Sequence, residues 1–419
     1  MDLRGAPSAE DLLGNAIGWR AGLGLSATAL PTTLAEPVLH QWSALQEPTG
    51  QISTAGGAGR SRDEARGAAI GELIERYTAG TAQVEHRPMA QWQGPAYEAQ
   101  RFGLTGPSHH SHPGWLADAV CAAYRLRDNE PIGVPVGLLL MDHRFGSIAT
   151  SSGLAAAPTA TRALLRAAQE LLERDALMAT WLHCLAPPAR PLTPGVTSLA
   201  EPIGATAQVF DITQAWNPHP VAVVAGSVSV LGKQRHAFGL ACRARWEEAV
   251  DKAALEWAQG IVFAGVATAD DPPGLTPTQR ASLWPAEACT TFDEHARFYT
   301  RRPDLWQQLP WFACDASTAR PVEPPRPDTD LGPSEATELE RLATELESLG
   351  IELLYRELTG PEAAACGVRV MRVLSPDLIP INADHRWPFL GAPAHDRHSR
   401  YPSLAPLGSF PSSFPHPLG

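Results

Sequence analysis

Residues 160–176 read Ala160-Thr-Arg162-Ala-Leu164-Leu165-Arg-Ala-Ala168-Gln-Glu170-Leu171-Leu172-Glu173-Arg174-Asp175-Ala176. Apolar residues at 164, 165, 168, 171, 172 and 177 recur at helical spacing. They predict one long helix from about Thr159 to Leu185 with a broad apolar face. Two glutamates, Glu170 and Glu173, sit inside that apolar run. Residues three apart on a helix share a face, so both carboxylates can address one point.

The same arrangement recurs twice. A helix predicted from near Ser61 to about Tyr77 carries Glu72-Leu-Ile-Glu75-Arg76, and Glu64 follows Ser61 by three residues as a capping box. A third helix, from near Trp246 to near Gln259, carries Glu256-Trp-Ala-Gln259. Convergence of the three would surround a cavity with carboxylates and one amide. Such a cavity is costly without cations, because close like charges raise each other's pKa. Mg2+ is the natural occupant, a hard ion bound by carboxylates, waters and phosphates. Arg76 and Arg174 would then face phosphate oxygens. A single ExxER also suits a solvated helix face. Against that, Ala68, Ala69, Ile70, Leu73 and Ile74 leave the first helix little polar surface.

Outward from these helices, strand signals dominate. Val221 to Val230 is apolar and β-branched, Leu231 to Gln234 reads as a turn, and Ala237 to Cys242 returns, a hairpin. A charged helix from Ser334 to Leu349, closed by Gly350, leads into a strand at Ile351–Leu358, and Val368 to Leu374 alternates like a half-buried strand. Pro- and Gly-rich stretches at 186–202, 270–277, 318–333 and over the last thirty residues read as loops or extended connections. The fold class is α+β, with layered helices and mixed or antiparallel sheets. Residues 1–50 are expected as an N-terminal segment packed on the main domain, and 51–419 as that domain with a Pro-rich tail.

Composition narrows the partners. The 419 residues carry a formal net charge of −12, with arginine supplying nearly all the basic charge. That acidic balance argues against nucleic acid or an anionic membrane as main partner. No apolar run nears the roughly eighteen residues of a membrane helix. The six cysteines are scattered without a CxxC pair, which suits reduced structural thiols and a cytoplasmic location.

These motifs, in this order, resemble the YcaO family. The matching stretches are Ala68 to Arg76, Gly153-Leu-Ala-Ala-Ala157-Pro158-Thr159 through Glu170 to Ala176, and Leu255 to Gln259. Phe292 to Tyr299, Val370 to Pro376 and the ending Pro415-His416-Pro417-Leu418-Gly419 are similar to the azoline-forming branch, which makes thiazole/oxazole-modified peptides. The resemblance implies a YcaO-type fold with its three ExxE/ExxQ helices around a nucleotide site. It implies cyclodehydration: a Cys, Ser or Thr side chain of a ribosomally made precursor peptide attacks the preceding carbonyl, ATP phosphorylates the resulting oxygen, and loss of phosphate leaves a thiazoline or oxazoline. Glu72, Glu75, Glu170 and Glu173 would hold Mg2+. Glu256 and Gln259 would line the nucleotide, with Arg76 and Arg174 at its phosphates. Pro415, Pro417 and the terminal carboxylate of Gly419 would reach the active site, the carboxylate as proton acceptor. Implied partners are a separate leader-peptide-binding, E1-like protein and an azoline oxidase, and the resemblance admits a homodimer.

The sequence departs from the family pattern at five places. Ala58 stands for the lysine of a GKG turn, with Arg60 nearby to replace its charge. Ala68 stands for a serine, Pro158 for an asparagine, Arg162 for a glutamate and Gly419 for the last proline. These keep two other readings open: thioamide or amidine formation by the same ATP chemistry, and a non-catalytic scaffold. Among weaker signals, Gly226 to Lys233 departs from P-loop spacing and reads as a hairpin turn. The run His109-His110-Ser111-His112 reads as an exposed loop. His183-Cys184 point apart on a helix, and His295 and Tyr299 suit packing.

Overall fold

The computed structural model describes residues 24–30, 40–47, 53–106, 117–146, 148, 150–230, 232–312 and 334–419. The strands are β1 (Gly24–Leu30), β2 (His40–Glu47), β3 (Ser53–Gly59), β4 (Val120–Arg125), β5 (Pro131–Pro135), β6 (Leu154–Ala157), β7 (Ala189–Arg190), β8 (Thr206–Asp211), β9 (Val221–Val230), β10 (Lys233–Cys242), β11 (Leu354–Glu357) and β12 (Arg369–Leu374). They form three antiparallel sheets: β1-β2-β3, β10-β9-β8-β7 and β5-β4-β11-β12-β6. The longer helices are α1 (Arg62–Thr81), α2 (Ala160–Leu182), α3 (Trp246–Ala267), α4 (Phe292–Arg301) and α5 (Glu335–Ser348). Layered α+β architecture is what the sequence pattern predicts. The histidine run at 109–112 and the Pro-rich stretch at 318–333 lie outside the described residues.

Helix α2 is the shared element. It packs against β6 and β12 of the five-stranded sheet and against β10 of the four-stranded one. Its Leu165, Leu172, Leu177 and Trp181 join the largest apolar cluster together with Phe210, Val223, Leu240 and Val373. Thr159 caps it, accepting the Arg162 N–H at 3.2 Å.

Helix α1 is buried on two sides. Ile70 and Ile74 enter the core of the five-stranded sheet, while Ala69 and Leu73 meet Ala55 of β3. Its capping box forms: the Ser61 hydroxyl accepts the Glu64 N–H and the Glu64 carboxylate accepts the Ser61 N–H. The remaining face, carrying Ala68, Glu72 and Glu75, is left open.

Three local expectations need correcting. Helix α3 runs eight residues past Gln259, because Ile261 and Ala264 continue its buried stripe and Gly260 lets it lie against Ala237 of β10. Strand β10 begins at Lys233, not Ala237. Its register pairs Lys233 with Val230, and Gly232 at φ +75° makes the tight connection. Within 186–202, residues Pro194–Ala200 form a short helix with Thr193 as N-cap, since a proline in the first turn has no N–H to lose.

Strand β3 lies so close to α1 that a Cβ on Gly57 would stand 2.2 Å from the Ala65 carbonyl oxygen and 2.3 Å from the Ala69 nitrogen. Gly67, exposed on α1, has nothing within 4 Å of such an atom. Urea denaturation should therefore separate the two substitutions. Gly57→Ala is expected to lose about 3 kcal/mol or more, and Gly67→Ala to gain about 0.5–1 kcal/mol.

Candidate active site

Each of the four paired glutamates is held by a main-chain N–H from a neighbouring strand or strand entry. Glu72 Oε2 accepts the Gly56 N–H at 2.9 Å, and Glu75 Oε1 accepts the Ala156 N–H at 2.7 Å. Glu170 Oε2 accepts the Gly153 N–H at 3.1 Å, and Glu173 Oε2 accepts the Cys242 N–H at 3.2 Å. Two arginines complete the pattern one turn along their helices. Arg76 pairs with Glu72 at 2.5 Å and Arg174 with Glu170 at 3.1 Å.

Electrostatics show that the carboxylates converge. Burial pushes Glu75 well above the usual carboxylate range despite the Ala156 N–H, and the charges of Glu170 and Glu72 raise it further. Glu170 is raised, chiefly by burial, against the opposing pull of Arg174. Glu173 is pushed up to about 8, first by burial and then by the charges of Glu256 and Glu170. Burial works against the Arg174 charge, but Glu170, Glu173 and Glu256 outweigh it and hold the guanidinium above its ordinary value. Helices α1, α2 and α3 thus bring acidic residues within reach of one another's charge.

Glu256 is paired with Lys252 at 3.1 Å. Gln259 reaches back to β3, where a Cβ on Gly56 would stand 2.5 Å from its Nε2. Arg60 turns elsewhere. Its guanidinium donates to the Ser198 hydroxyl and the Gly195 carbonyl, both at 3.2 Å, and stands 3.7 Å from Asp251. Those contacts occupy the charge expected to replace the missing lysine. Ala68 is exposed on the open face of α1, and Arg162 pairs with Glu335 of α5 at 3.3 Å.

The tail docks beside this cluster. Trp181 Nε1 donates to the Phe414 carbonyl at 2.8 Å, and the Tyr299 hydroxyl donates to the Pro415 carbonyl at 2.6 Å. His295 pairs through one ring nitrogen with the His416 carbonyl at 2.7 Å and stacks on the His416 ring at 3.8 Å. Pro415 to Leu418 are buried, and Gly419 lies on α4, where a Cβ would meet that of Ala296 at 2.3 Å. Burial lowers the His416 pKa well below its usual value, and the charges acting on it include Arg174. His295 and Tyr299 therefore pack the tail. His183 is bonded to the Ala394 carbonyl at 2.7 Å, and nothing joins it to Cys184.

Three further arginines belong to the site's surroundings. Arg166 lies one turn before Glu170 on the same face, a position that helical spacing alone reveals. Burial, then the charges of Arg243 and Arg162, lower it to about 10. Arg243 follows Cys242 at the end of β10 and has no sequence signal. Arg372 is 1% exposed, with its guanidinium donating to the carbonyls of Leu139 at 3.1 Å and of Ser152 and Thr150 at 2.7 Å.

Among the described residues, no three His, Cys, Asp or Glu side chains close around one point as a ready-made metal cage. Mg2+ does not need one, since it binds through one or two carboxylates together with waters and phosphate oxygens. The donor set fits: hard oxygens gathered with excess negative charge, three of them on carboxyl groups whose pKa burial raises, which a cation would compensate. Arg174 Nε is buried without a hydrogen-bond partner, its Glu173 neighbour standing 3.8 Å away, which leaves a donor beside the carboxylates for an anion.

Residues 56–379 match the sequence profile described as YcaO cyclodehydratase, ATP- and Mg2+-binding. The chain belongs to the YcaO family. That family is described as a cyclodehydratase binding ATP and Mg2+. Solved structures share the fold. A heterocyclase in complex with substrate and cofactor aligns with a TM-score of 0.65 and 16% identity, over 89% of this chain and 52% of its own. The YcaO protein from Methanopyrus kandleri bound with AMPPCP and Mg2+ gives 0.60 and 17%, over 85% and 86%. The E. coli microcin synthetase McbBCD complex with pro-MccB17 bound gives 0.59 and 14%, over 84% and 88%. The chain spans about half the length of that first heterocyclase. No curated protein matches the sequence. No helix among the described residues is long and apolar enough to cross a membrane.

The raised Glu173 makes a pH signature. An unfolded glutamate ionises near 4.5, whereas the folded one holds its proton to about 8. Its contribution to stability is thus full below pH 4.5 and is lost as pH rises through 8. Thermal denaturation in EDTA should show Glu173→Gln gaining on the parent by about 5 °C between pH 5 and pH 8.5. If Glu173 is a Mg2+ ligand, Mg2+ should reverse the trend for the parent by favouring the ionised carboxylate.

Proposed function

We propose that this YcaO enzyme converts Cys, Ser or Thr residues of a ribosomally made precursor peptide to thiazolines or oxazolines. The observation that carries the reading is the pairing of Arg76 with Glu72 and of Arg174 with Glu170, with Glu75 and Glu173 each feeling the Glu170 charge and the tail held by Trp181 of the same helix. The side-chain thiol or hydroxyl adds to the preceding carbonyl carbon. The oxygen so formed takes the terminal phosphoryl group of ATP, releasing ADP. It then departs as phosphate while the ring closes to a C=N bond, so water is lost as part of that phosphate.

In this reading Glu72, Glu75, Glu170 and Glu173 hold Mg2+, which neutralises phosphate charge when bound. Glu256 and Gln259 line the nucleotide, and Arg76 and Arg174 supply the positive charge that phosphoryl transfer needs near its oxygens. Arg60 acts indirectly, steadying the entry to α1 through the Pro194–Ala200 helix. The tail, with Pro415, Pro417 and Gly419, borders the reacting amide and carries the proton acceptor. Two features support the azoline reading over thioamide or amidine formation: the burial of this tail and its proximity to Arg174. The precursor is presented by a separate leader-binding, E1-like protein, and an azoline oxidase acts downstream. The McbBCD neighbour, a complex that binds pro-MccB17, supports such an assembly.

Calorimetric titration with ATP and Mg2+ is the direct test. The parent protein should bind ATP only with Mg2+, and a Glu72→Ala, Glu170→Ala double variant should lose at least about tenfold in affinity, the effect of some 1.4 kcal/mol. Equal binding by both proteins would refute this placement of the nucleotide. Removal of residues 415–419 should abolish ring formation while leaving ATP binding intact.

A further inference from the structure

Arg174 faces two ways. On one side it meets the carboxylates of Glu170 and Glu173 on its own helix. On another flank of α2 it joins Leu171, three residues before it, in the wall of a cavity of about 80 Å3. The rest of that wall is largely apolar, with Leu374, Leu378 and Phe389 prominent, and Arg372 closes one side. The Arg372 guanidinium is already spent on three main-chain carbonyls, so it shapes the cavity and offers little to a ligand. Arg174, with its unpartnered buried Nε, is the charged member of the wall left with binding capacity. The cavity therefore has a mainly apolar wall that also includes Thr150, Ser152 and Ser375, and its Arg174 is shared with the carboxylate cluster.

The helix separates this cavity from the proposed nucleotide side. Glu173, turned about 100° back from Arg174 around α2, bonds to Cys242 on β10 and feels Glu256 on α3. Gln259 lies on that side too, against β3. Arg372 and Leu374 of β12 form part of the cavity wall, and the Arg174 charge acts on His416 of the docked tail. A chain whose reacting amide lies at Arg174 would therefore drop a neighbouring side chain into apolar space.

We propose that this cavity receives the apolar side chain of the residue adjacent to the one being cyclised, and so selects the sequence contexts that are modified. The inference rests on the cyclodehydratase reading above. Burying a leucine-sized group in a preformed apolar pocket discriminates it from glycine by about tenfold or more. Walls this poor in hydrogen-bonding groups reject charged neighbours, because nothing would compensate their lost hydration.

The test uses the full chain saturated with AMPPCP and Mg2+, titrated calorimetrically with capped peptides acetyl-Gly-X-Cys-Gly-amide in which X is Gly, Ala, Leu or Asp. The expected result is a Kd for X = Leu about tenfold below that for X = Gly, with X = Asp weakest. Leu374→Trp, which fills the cavity, should bring the Leu/Gly ratio close to one. Phe389→Ala, which enlarges it, should extend the preference to X = Phe, and it carries the test if the tryptophan variant fails to fold by circular dichroism. A parent ratio near one, or a ratio unmoved in the folded variants, overturns the proposal. Loss of AMPPCP binding in folded Leu374→Trp also overturns it, by assigning the cavity to the nucleotide base. Failure of the parent to bind AMPPCP with Mg2+ at the first step would instead refute the cyclodehydratase reading itself.

Discussion

Negative charge gathered inside a protein must be held in place, and here strands hold it. The four glutamates of α1 and α2 each accept one N–H, from Gly56, Ala156, Gly153 and Cys242. Those donors belong to three different sheets or their entries, so the carboxylates act as bolts between layers as well as ligands in waiting. The arrangement is unfavourable in isolation, since burial raises Glu75, Glu170 and Glu173 above their ordinary range. It persists because packing elsewhere fixes the helices. A bound cation would turn the same geometry from a cost into a gain.

That fixing is concentrated on α2. Beyond its apolar face, Asp175 is fully buried and accepts from Arg400 at 2.8 Å, from the Ile379 N–H at 2.8 Å and from Gln214 Nε2 at 2.9 Å. A buried pair so fully hydrogen-bonded adds little net stability, yet losing one partner typically costs about 3–5 kcal/mol. Asp175 thus ties the helix that carries Glu170 and Glu173 to the segment leading into the tail. Glu170, Glu173, Arg174 and Asp175 are neighbours in sequence with different duties. The first three face the cleft, and the fourth anchors the helix from behind.

The tail shows the same economy. Its main-chain carbonyls, at Phe414, Pro415 and His416, are taken up by Trp181, Tyr299 and His295. Trp181 lies two turns beyond Arg174 on α2, and the two histidine rings stack beneath. Prolines suit this path because they have no N–H to satisfy, and Gly419 suits its end because any side chain would strike Ala296. The departure from proline at this position therefore has a steric reason in this chain.

Local pattern determined much of the molecule. The 3.6-residue period showed α1, α2 and α3 and placed Glu72 with Glu75, Glu170 with Glu173 and Glu256 with Gln259, because side-chain direction on a helix follows from spacing alone. The capping box at Ser61, the hairpin at residues 221–242 and the αL glycine at Gly350 were likewise legible, since each depends on a few adjacent residues. Tertiary structure alone decided the rest. Backbone donors such as Gly56 and Cys242 carry no signature in the sequence. Arg60 turned away to Ser198, Arg243 arrived from the end of a strand, and Arg372 was taken up by the distant carbonyls of Leu139, Thr150 and Ser152. Whether three acidic helices meet, and what lies behind the arginine where they do, is set by how sheets stack. That is a property of long-range packing, and no spacing along the chain encodes it.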